Sequence, residues 1–82
     1  MYIHIGEDVL IRAKDLVAII DKESASSSMN TEEFLQREEG LIINLAKGHY
    51  KSVVITTDQI YYSPLASATL KKRTAKLSVH EF

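Results

Sequence analysis

The stretch that decides the fold is Asp58–Arg73, with the sequence DQIYYSPLASATLKKR. It contains Pro64, the single proline of the chain. The residue before a proline is pushed out of helical geometry, so Ser63 suits the cap and Pro64 the first position of a helix. Ser67 is a second candidate for the cap. The stretch therefore predicts an extended segment, Ile60–Tyr62, that is followed directly by a helix.

Five further β-rich runs precede this stretch and predict strands: Tyr2–Ile5, Val9–Ala13, Leu16–Ile20, Leu41–Leu45 and Lys51–Thr57. The run Leu16–Ile20 is continuously apolar, which is typical of a strand that is covered on both faces. We expect the first two runs to pair as a hairpin across the turn Gly6-Glu7-Asp8. We expect the last two to pair as a second hairpin across the loop Ala46–Tyr50.

A short helix is predicted between the third and fourth of these strands. Asn30 suits its N-cap, Glu33 the third helical position, and Gly40 the position after its last turn. The preceding segment, Ser24–Ser28, has low complexity and predicts a flexible loop. The elements together predict an α+β fold in a single domain, residues 1–82. Its sheet is small and mostly antiparallel, with two hairpins plus a further short strand, and it carries two short helices.

Length and composition restrict the class of protein. A chain of 82 residues forms one small domain, which buries only about 60% of the surface that its unfolded chain exposes. Self-association would add stability, so we expect a homo-oligomer. The chain has no cysteine, which excludes disulfides and cysteine ligands for zinc. The N-terminus lacks signal-peptide features and no run approaches the roughly 20 apolar residues of a membrane span, so we expect a cytoplasmic protein without membrane contact.

The net charge of −1 conceals an uneven distribution. Residues 1–41 carry nine acidic against four basic side chains, a balance of −5. Residues 42–82 carry six basic against two acidic side chains, a balance of +4. Such polarity suits either head-to-tail self-association or an anionic partner on one face, and it is also compatible with a mixed surface that serves solubility.

Two groups of cations are candidate contact residues. Lys47, His49 and Lys51 are predicted at the tip of the second hairpin, where they suit contacts with phosphates or simply a polar hairpin end. Lys71-Lys72-Arg73 is predicted toward the end of the last helix. Cations there offset the helix dipole, and the same cluster would suit a phosphate-contacting patch.

No catalytic, metal or cofactor motif is recognisable in the chain. His4, His49 and His80 are far apart in sequence and lack metal-ligand spacing. The carboxylates of Glu32-Glu33 and Glu38-Glu39 are adjacent in sequence, and adjacent residues of a helix do not face each other. The sequence therefore predicts a protein that is not an enzyme, has no cofactor and takes no small-molecule substrate.

Several segments carry a resemblance to a known family: Met1–Gly6, Lys14–Asp21, Glu32–Leu35, Lys51–Thr56, Ile60–Leu65 and Thr69–Arg73. Over nearly the whole chain they resemble the bacterial extracellular-matrix regulatory proteins, the RemA/RemB family. The segments Tyr-Tyr-Ser-Pro-Leu (61–65) and Leu-Lys-Lys-Arg (70–73) are the most specific part of this resemblance.

The resemblance implies a fold similar to LytTR-type DNA-binding domains, assembly into rings and activation of biofilm-matrix operons. Family members that bind DNA use an arginine at the start of the strand matched by Leu16–Ile20 and an arginine-rich hairpin loop. This chain differs at both places. Asp15 stands at the position of that arginine, beside Lys14, and the loop has Lys47 and Lys51 without an arginine. An acid in place of a phosphate-binding base reverses the sign of the interaction.

Two hypotheses about function follow from these observations. The first is a ring-forming transcriptional regulator that binds double-stranded DNA through its basic side chains: Lys14, Lys47, His49, Lys51, Lys71, Lys72 and Arg73. The second is an oligomeric adaptor that acts on a RemA-like regulator or another protein and has no direct contact with DNA.

Overall fold

The computed structural model describes residues 2–78, with side chains through Thr74. These residues form six strands and three α-helices: β1 (Tyr2–Gly6), β2 (Val9–Arg12), β3 (Leu16–Asp21), α1 (Lys22–Ser27), α2 (Met29–Arg37), β4 (Ile42–Asn44), β5 (Ser52–Thr56), β6 (Ile60–Ser63) and α3 (Ser67–Ser78). Short 3-10 turns precede β3 and β4. The predicted α+β class with mostly antiparallel strands is confirmed, whereas the expected likeness to LytTR-type domains stays a prediction.

The strands form two sheets. β1 and β2 make a two-stranded antiparallel hairpin, as the sequence predicts. The other four strands form a second sheet in the order β3-β5-β6-β4. β5 is antiparallel to both of its neighbours, whereas β4 runs parallel to β6 at the edge.

The four-stranded sheet is covered on both faces, and the alternation of side chains along β5 shows how. Val54 packs in one apolar cluster with Ile3, Ile5 and Ile11 of the hairpin and with Leu70 of α3. Its neighbour Val53 packs in a second cluster with residues of the helices α1 and α2. Successive residues of a strand point to opposite faces, so the domain has three layers: hairpin with α3, sheet, and α1 with α2.

The segment that joins β6 to α3 connects the two sheets. The buried hydroxyl of Ser63 donates a hydrogen bond to the carbonyl of Ile5 in β1 and accepts one from the amide of Leu65. On the other side of Ser63, the register of the sheet places buried Ser52, whose hydroxyl donates to the carbonyl of Leu65 at 2.8 Å. Pro64 lies against Gly6. The Ser-Pro-Leu segment is therefore the junction of the fold.

Three predictions about local structure are wrong. The strands predicted at 41–45 and 51–57 do not form a hairpin, because β4 pairs with β6 and the second hairpin is β5–β6. The segment Ser24–Ser28 is not a loop, because most of it belongs to α1. Asp21 is the N-cap of this helix, and its carboxylate accepts a hydrogen bond from the amide of Ser24. Residues 2–78 therefore contain three α-helices instead of two.

Two cap positions are also settled by the structure. The N-cap of α2 is Ser28, whose hydroxyl accepts from the amide of Thr31 at 3.3 Å, instead of the predicted Asn30. The last helix, α3, begins at Ser67, so the later of the two predicted starts holds and Pro64 is not the first helical residue. Ser67 is itself the first residue of α3 instead of its cap, since the amide of Leu70 donates to the carbonyl of Ala66. The hydroxyl of Ser63 acts in the junction before α3.

Candidate nucleic-acid interface

The segment that carries Lys47, His49 and Lys51 is held by the backbone at both ends. At its start, the amide of Leu45 donates to the carbonyl of Tyr62 at 2.9 Å. At its end, the amide of Lys51 donates to the carbonyl of Ser63 at 2.8 Å, and the carbonyl of Lys51 accepts from the amide of Lys22 at 3.0 Å. The side chains of Lys47, His49 and Lys51 are nevertheless exposed. The fold thus fixes where these three groups emerge.

A stack of side chains lies beneath this segment. The rings of Tyr50 and Tyr62 are 4.3 Å apart between centroids and nearly parallel, at 18°. The ammonium of Lys22 lies 5.6 Å from the centroid of the Tyr50 ring, within the range of a cation–π contact. Burial raises the pKa of Tyr62, and the neighbouring Tyr50 and Glu39 raise it further. The phenol of Tyr62 is therefore neutral at physiological pH and supports Tyr50 by stacking.

An open groove of about 480 Å³ lies beside the stack. His49 and Lys51 line it from one side, Lys22 from the start of α1, and Ala66 and Ser67 from the start of α3. Asp21 and Glu23 also line it and add negative charge. The groove thus joins the end of the four-stranded sheet to two helix starts.

Lys71 belongs to the same neighbourhood. The hydrogen bond from the amide of Ser24 is the main cause that lowers the pKa of Asp21, and the positive charge of Lys71 also contributes. Lys71 of α3 therefore acts on a residue that lines the groove, because Asp21 lies in the groove wall with His49 and Lys51. Lys71 is distant in sequence from all three.

Arg73 has a different role from its neighbours Lys71 and Lys72. Its guanidinium donates a hydrogen bond to the carbonyl of His4 at 2.7 Å, and the side chain is half-buried. This contact fastens α3 to β1. Lys71 and Lys72 are exposed. Of the predicted basic cluster, two side chains are open to a partner and the third supports the fold.

Lys14 lies at the opposite end of the sheet from this groove. In the pairing of β3 with β5, Leu16 is opposite Thr56, whereas Asp21 is opposite Ser52. Lys14 precedes Leu16 and Lys51 precedes Ser52, so roughly 17 Å of strand separates the two positions at about 3.4 Å per residue. Within one copy of the chain, Lys14 is therefore separate from the cations of the groove.

Asp15, which stands where the resemblance implies an arginine, forms an ion pair. Its carboxylate lies 2.8 Å from Nε of Arg12, and its carbonyl accepts from the amide of Thr57 at 3.0 Å. The Arg12 side chain is 51% exposed and that of Asp15 is 24% exposed. The pair partly neutralises the positive charge of this corner. The local positive field is therefore weaker than Arg12 and Lys14 alone would give.

Lys22 and Tyr62 are functional neighbours that the sequence analysis missed. Both lie next to the segment from Lys47 to Lys51 because of hydrogen bonds between strands or elements that are distant in the chain. Such contacts leave no pattern in the sequence. The alternation of β6 offered one usable sign, because it puts Tyr61 and Tyr62 on opposite faces. No sequence pattern predicted the cation–π contact between Lys22 and Tyr50.

Catalytic and metal sites were not expected, and the described residues supply no cluster of three or more His, Asp or Glu side chains suited to a metal ion. His80, one of the three histidines considered, lies outside the described residues. Within residues 2–78, no helix is long and apolar enough to cross a membrane. Contact with nucleic acid by the seven predicted residues stays a prediction.

The fold and the groove define a class: a small three-layer α+β domain whose conspicuous surface is a set of fixed cations beside an aromatic stack. Comparison with known proteins assigns this domain to a family. The sequence model of the RemA-like family, described as extracellular matrix regulatory protein A-like, matches residues 2–74. The chain belongs to this family.

A curated relative supports the same assignment. The chain is 45% identical over 73 residues to "Extracellular matrix regulatory protein B" of Bacillus subtilis (strain 168), covering 89% of each chain. The region that the family model matches, residues 2–74, includes the groove and the junction. The resemblance stated from the sequence segments is confirmed.

Proposed function

We propose that this protein regulates extracellular-matrix genes in the cytoplasm as a homo-oligomer that binds double-stranded DNA. Membership of the RemA-like family and the name of its Bacillus subtilis relative support the regulatory role. The observation that carries the DNA contact is the groove, where the fold gathers His49, Lys51 and Lys22 with Lys71 nearby. Cations gathered in this way suit backbone phosphates, which position a protein on a duplex without reading its sequence.

The acids in the groove restrict where a phosphate can approach. The carboxylate of Asp21 accepts the amide of Ser24 at 2.6 Å and caps α1, so its negative charge faces the start of that helix. Glu23 lines the same side. A phosphate therefore approaches from the opposite side, along the exposed side chains of Lys47, His49 and Lys51.

One copy of the chain offers few phosphate contacts, and this is why assembly belongs to the proposal. Each neutralised phosphate releases about one counterion, so a handful of lysines gives weak binding at physiological salt. Copies held in one oligomer present the same lysines repeatedly, which raises the affinity by avidity if the spacing fits the duplex. Rings of the kind implied by the family resemblance would supply such repetition.

The test is fluorescence anisotropy of a labelled duplex, titrated with the full chain at several salt concentrations. We expect saturable binding at low salt, a steep loss as salt rises, and for Lys51→Glu at least a tenfold weaker affinity. Arg37→Glu is the matched control: it makes the same change of charge at an exposed position of α2 that does not line the groove. Absence of any anisotropy change for assembled protein at low salt would refute the DNA contact.

A second variant separates charge from folding in the last helix. Arg73→Glu would remove the hydrogen bond to His4 as well as a positive charge, so its effect on DNA has two causes. Lys72→Glu changes an exposed side chain and tests the charge alone. We expect weaker binding for Lys72→Glu with an unchanged circular dichroism spectrum.

The alternative is an adaptor that acts on a RemA-like regulator without contacting DNA, and the Arg12–Asp15 ion pair favours it. That pair weakens the positive field at the corner where family members carry a DNA-binding arginine. The adaptor hypothesis predicts co-elution with a purified RemA-like protein that is unaffected by Lys51→Glu. Failure to co-elute, together with salt-dependent duplex binding, would reject it.

A further inference from the structure

The stack of Tyr50 on Tyr62 separates two depressions of the surface. Tyr50 lines the groove, whereas Tyr62 lines a second depression of about 530 Å³, and neither ring lines both. We call this second depression the notch. Its further lining residues are Leu35, Gln36, Glu39 and Ile42. The notch therefore lies between α2 and the sheet, apart from the cations of the proposed DNA contact.

The notch has an apolar floor and a polar rim. Leu35 is buried, and Ile42 and Tyr62 pack against the cluster that contains it. Gln36 of α2 and Glu39, which follows this helix, are exposed. Burial raises the pKa of Tyr62 most, followed by the charges of Tyr50 and Glu39, so the Glu39 carboxylate acts on this phenol. An aromatic ring, two aliphatic side chains, a carboxylate and an amide thus surround one opening.

The two sides of the stack differ in charge. In the groove the chain supplies its own cation, since the ammonium of Lys22 lies 5.6 Å from the centroid of the Tyr50 ring. The described residues that line the notch include no Lys, Arg or His, and Glu39 forms no ion pair within residues 2–74. A carboxylate beside an aromatic ring attracts a cation, because the carboxylate and the ring face are both negative. The notch thus presents one half of a contact whose cation is not among the described residues.

We propose that the notch binds a guanidinium group, namely the arginine side chain of a partner protein. A guanidinium is planar, so it can lie against the ring of Tyr62 while its N–H groups donate to Glu39 and to the side-chain oxygen of Gln36. The methylene groups of the arginine would cover Leu35 and Ile42. The volume of the notch falls within the range of about 300–1,000 Å³ that is typical of binding pockets.

The inference goes beyond the proposed function, because it requires neither DNA nor an oligomer. A lysine would suit the notch less well, since its ammonium cannot stack on a ring or bind a carboxylate through two parallel hydrogen bonds. Leu41 precedes Ile42 and is 42% exposed, so it offers apolar surface next to the notch. An arginine flanked by apolar residues is therefore the chemistry that we expect of the partner.

The test is fluorescence anisotropy of a labelled peptide, titrated with the full chain in the absence of DNA. The peptide carries one arginine between two leucines. The control peptide has citrulline in place of the arginine, which keeps the shape of the side chain and removes its charge. We expect the arginine peptide to bind and the citrulline peptide to bind about tenfold more weakly. Equal affinities for the two peptides would overturn the inference.

Variants of the chain test whether the peptide occupies the notch. Glu39→Gln removes a charge at an exposed position and should weaken binding of the arginine peptide about tenfold. Tyr62→Phe keeps the ring and should bind as the wild type does, whereas Tyr62→Leu should bind weakly. Glu7→Gln is the matched control, since it makes the same change at an exposed position of the hairpin turn that does not line the notch. Equal losses for Glu39→Gln and Glu7→Gln would mean a general attraction to acidic side chains and would reject the site.

Two further results would identify a different occupant. Free arginine that bound as tightly as the peptide would indicate a small-molecule ligand. A lower mass of Glu39→Gln alone, measured by light scattering, would indicate that a second copy of the chain fills the notch. Either result would contradict the assignment to a partner protein. DNA is absent from every measurement, so failure here is distinguishable from failure of the DNA contact.

Discussion

The two faces of the four-stranded sheet are covered by different means. On one face, the hairpin and α3 bury Ile5, Val54 and Leu70 almost completely. On the other, α1 and α2 contribute only Ala25 and Leu35 as buried residues, and the half-buried Tyr50 and Tyr62 complete the cover. The first face is a closely packed apolar core. The second opens onto the groove and onto the notch, which is lined by Leu35, Gln36, Glu39, Ile42 and Tyr62.

The difference separates stability from recognition. Deep apolar burial supplies most of the free energy of folding, so the sheet face covered by the hairpin and α3 is expected to dominate stability. We call the sheet face covered by α1 and α2 the helix face. It adjoins the aromatic stack, the carboxylates and the cations, which are the groups that the proposed function uses. Substitutions on the two faces should therefore differ in how much they change stability and in how that change depends on pH.

The largest expected effect compares one leucine from each face. Leu70 is fully buried in α3, so Leu70→Ala should lower the free energy of unfolding by about 4 kcal/mol. Leu35 in α2 is 7% exposed and has fewer buried neighbours, so Leu35→Ala should cost about 2 kcal/mol. Urea unfolding followed by circular dichroism measures both. Equal losses, or a larger loss at Leu35, would break the comparison between the faces.

The next effect tests the contact between the hairpin and the junction. Gly6 has φ +130°, and a Cβ there would lie 2.7 Å from Cδ of Pro64. Gly6→Ala should therefore destabilise the domain by about 3 kcal/mol through backbone strain and overpacking.

Gly48→Ala is the control for this prediction, measured by the same urea unfolding. A Cβ at Gly48 meets nothing within 4 Å, so stability should stay the same or rise slightly. Similar losses at both glycines would mean that the cost arises from the alanine itself and not from the contact with Pro64.

The smallest effect belongs to the helix face and depends on pH. The hydrogen bond from the amide of Ser24 holds the pKa of Asp21 below its usual value of 3.8. A lowered pKa in the folded state stabilises the domain above the unfolded pKa, and this contribution is lost as pH falls through the folded value. Asp21→Asn should therefore have a lower thermal midpoint than the wild type near neutral pH, with the gap closing below about pH 4.

Glu33→Gln removes the same charge from an exposed position of α2 and serves as the control, with no such closing gap. A constant difference between wild type and Asp21→Asn across the pH range would mean that the cap contributes through shape and not through charge.

Much of the fold could be predicted from local chemistry, and the errors have one physical origin. Gly6-Glu7-Asp8 correctly predicted the first hairpin. Pro64 correctly predicted that β6 ends before it, but α3 begins three residues later than Pro64 suggested, at Ser67. The predicted partner of β4 was wrong, because strand pairing depends on the order of strands in the sheet. The glycine-bearing loop suggested pairing with the next strand in sequence. α1 was missed because its serines favour loops unless a cap such as Asp21 and the burial of Ala25 hold them in a helix.

The candidate site was predicted less completely for the same reason. Lys47, His49 and Lys51 were recognised because they are neighbours in sequence. Their connection to Lys22 and Lys71 arises only when β3, β5 and α3 meet at one end of the sheet. Arg73 could not be distinguished from Lys72 by sequence, since its hydrogen bond to His4 spans almost the whole chain.

The parallel pairing of β4 with β6 has a consequence for the order of folding. Strands leave the ribosome in chain order, so Ile42–Asn44 emerges before the strand with which it pairs. β5 and β6 are joined by a short turn and can close early, because hairpin closure is a fast local event. β4 can then add to the free side of β6. The sheet is thus completed from its later strands back toward an earlier one, and a nascent chain that stops before Ile60 holds β4 without its partner.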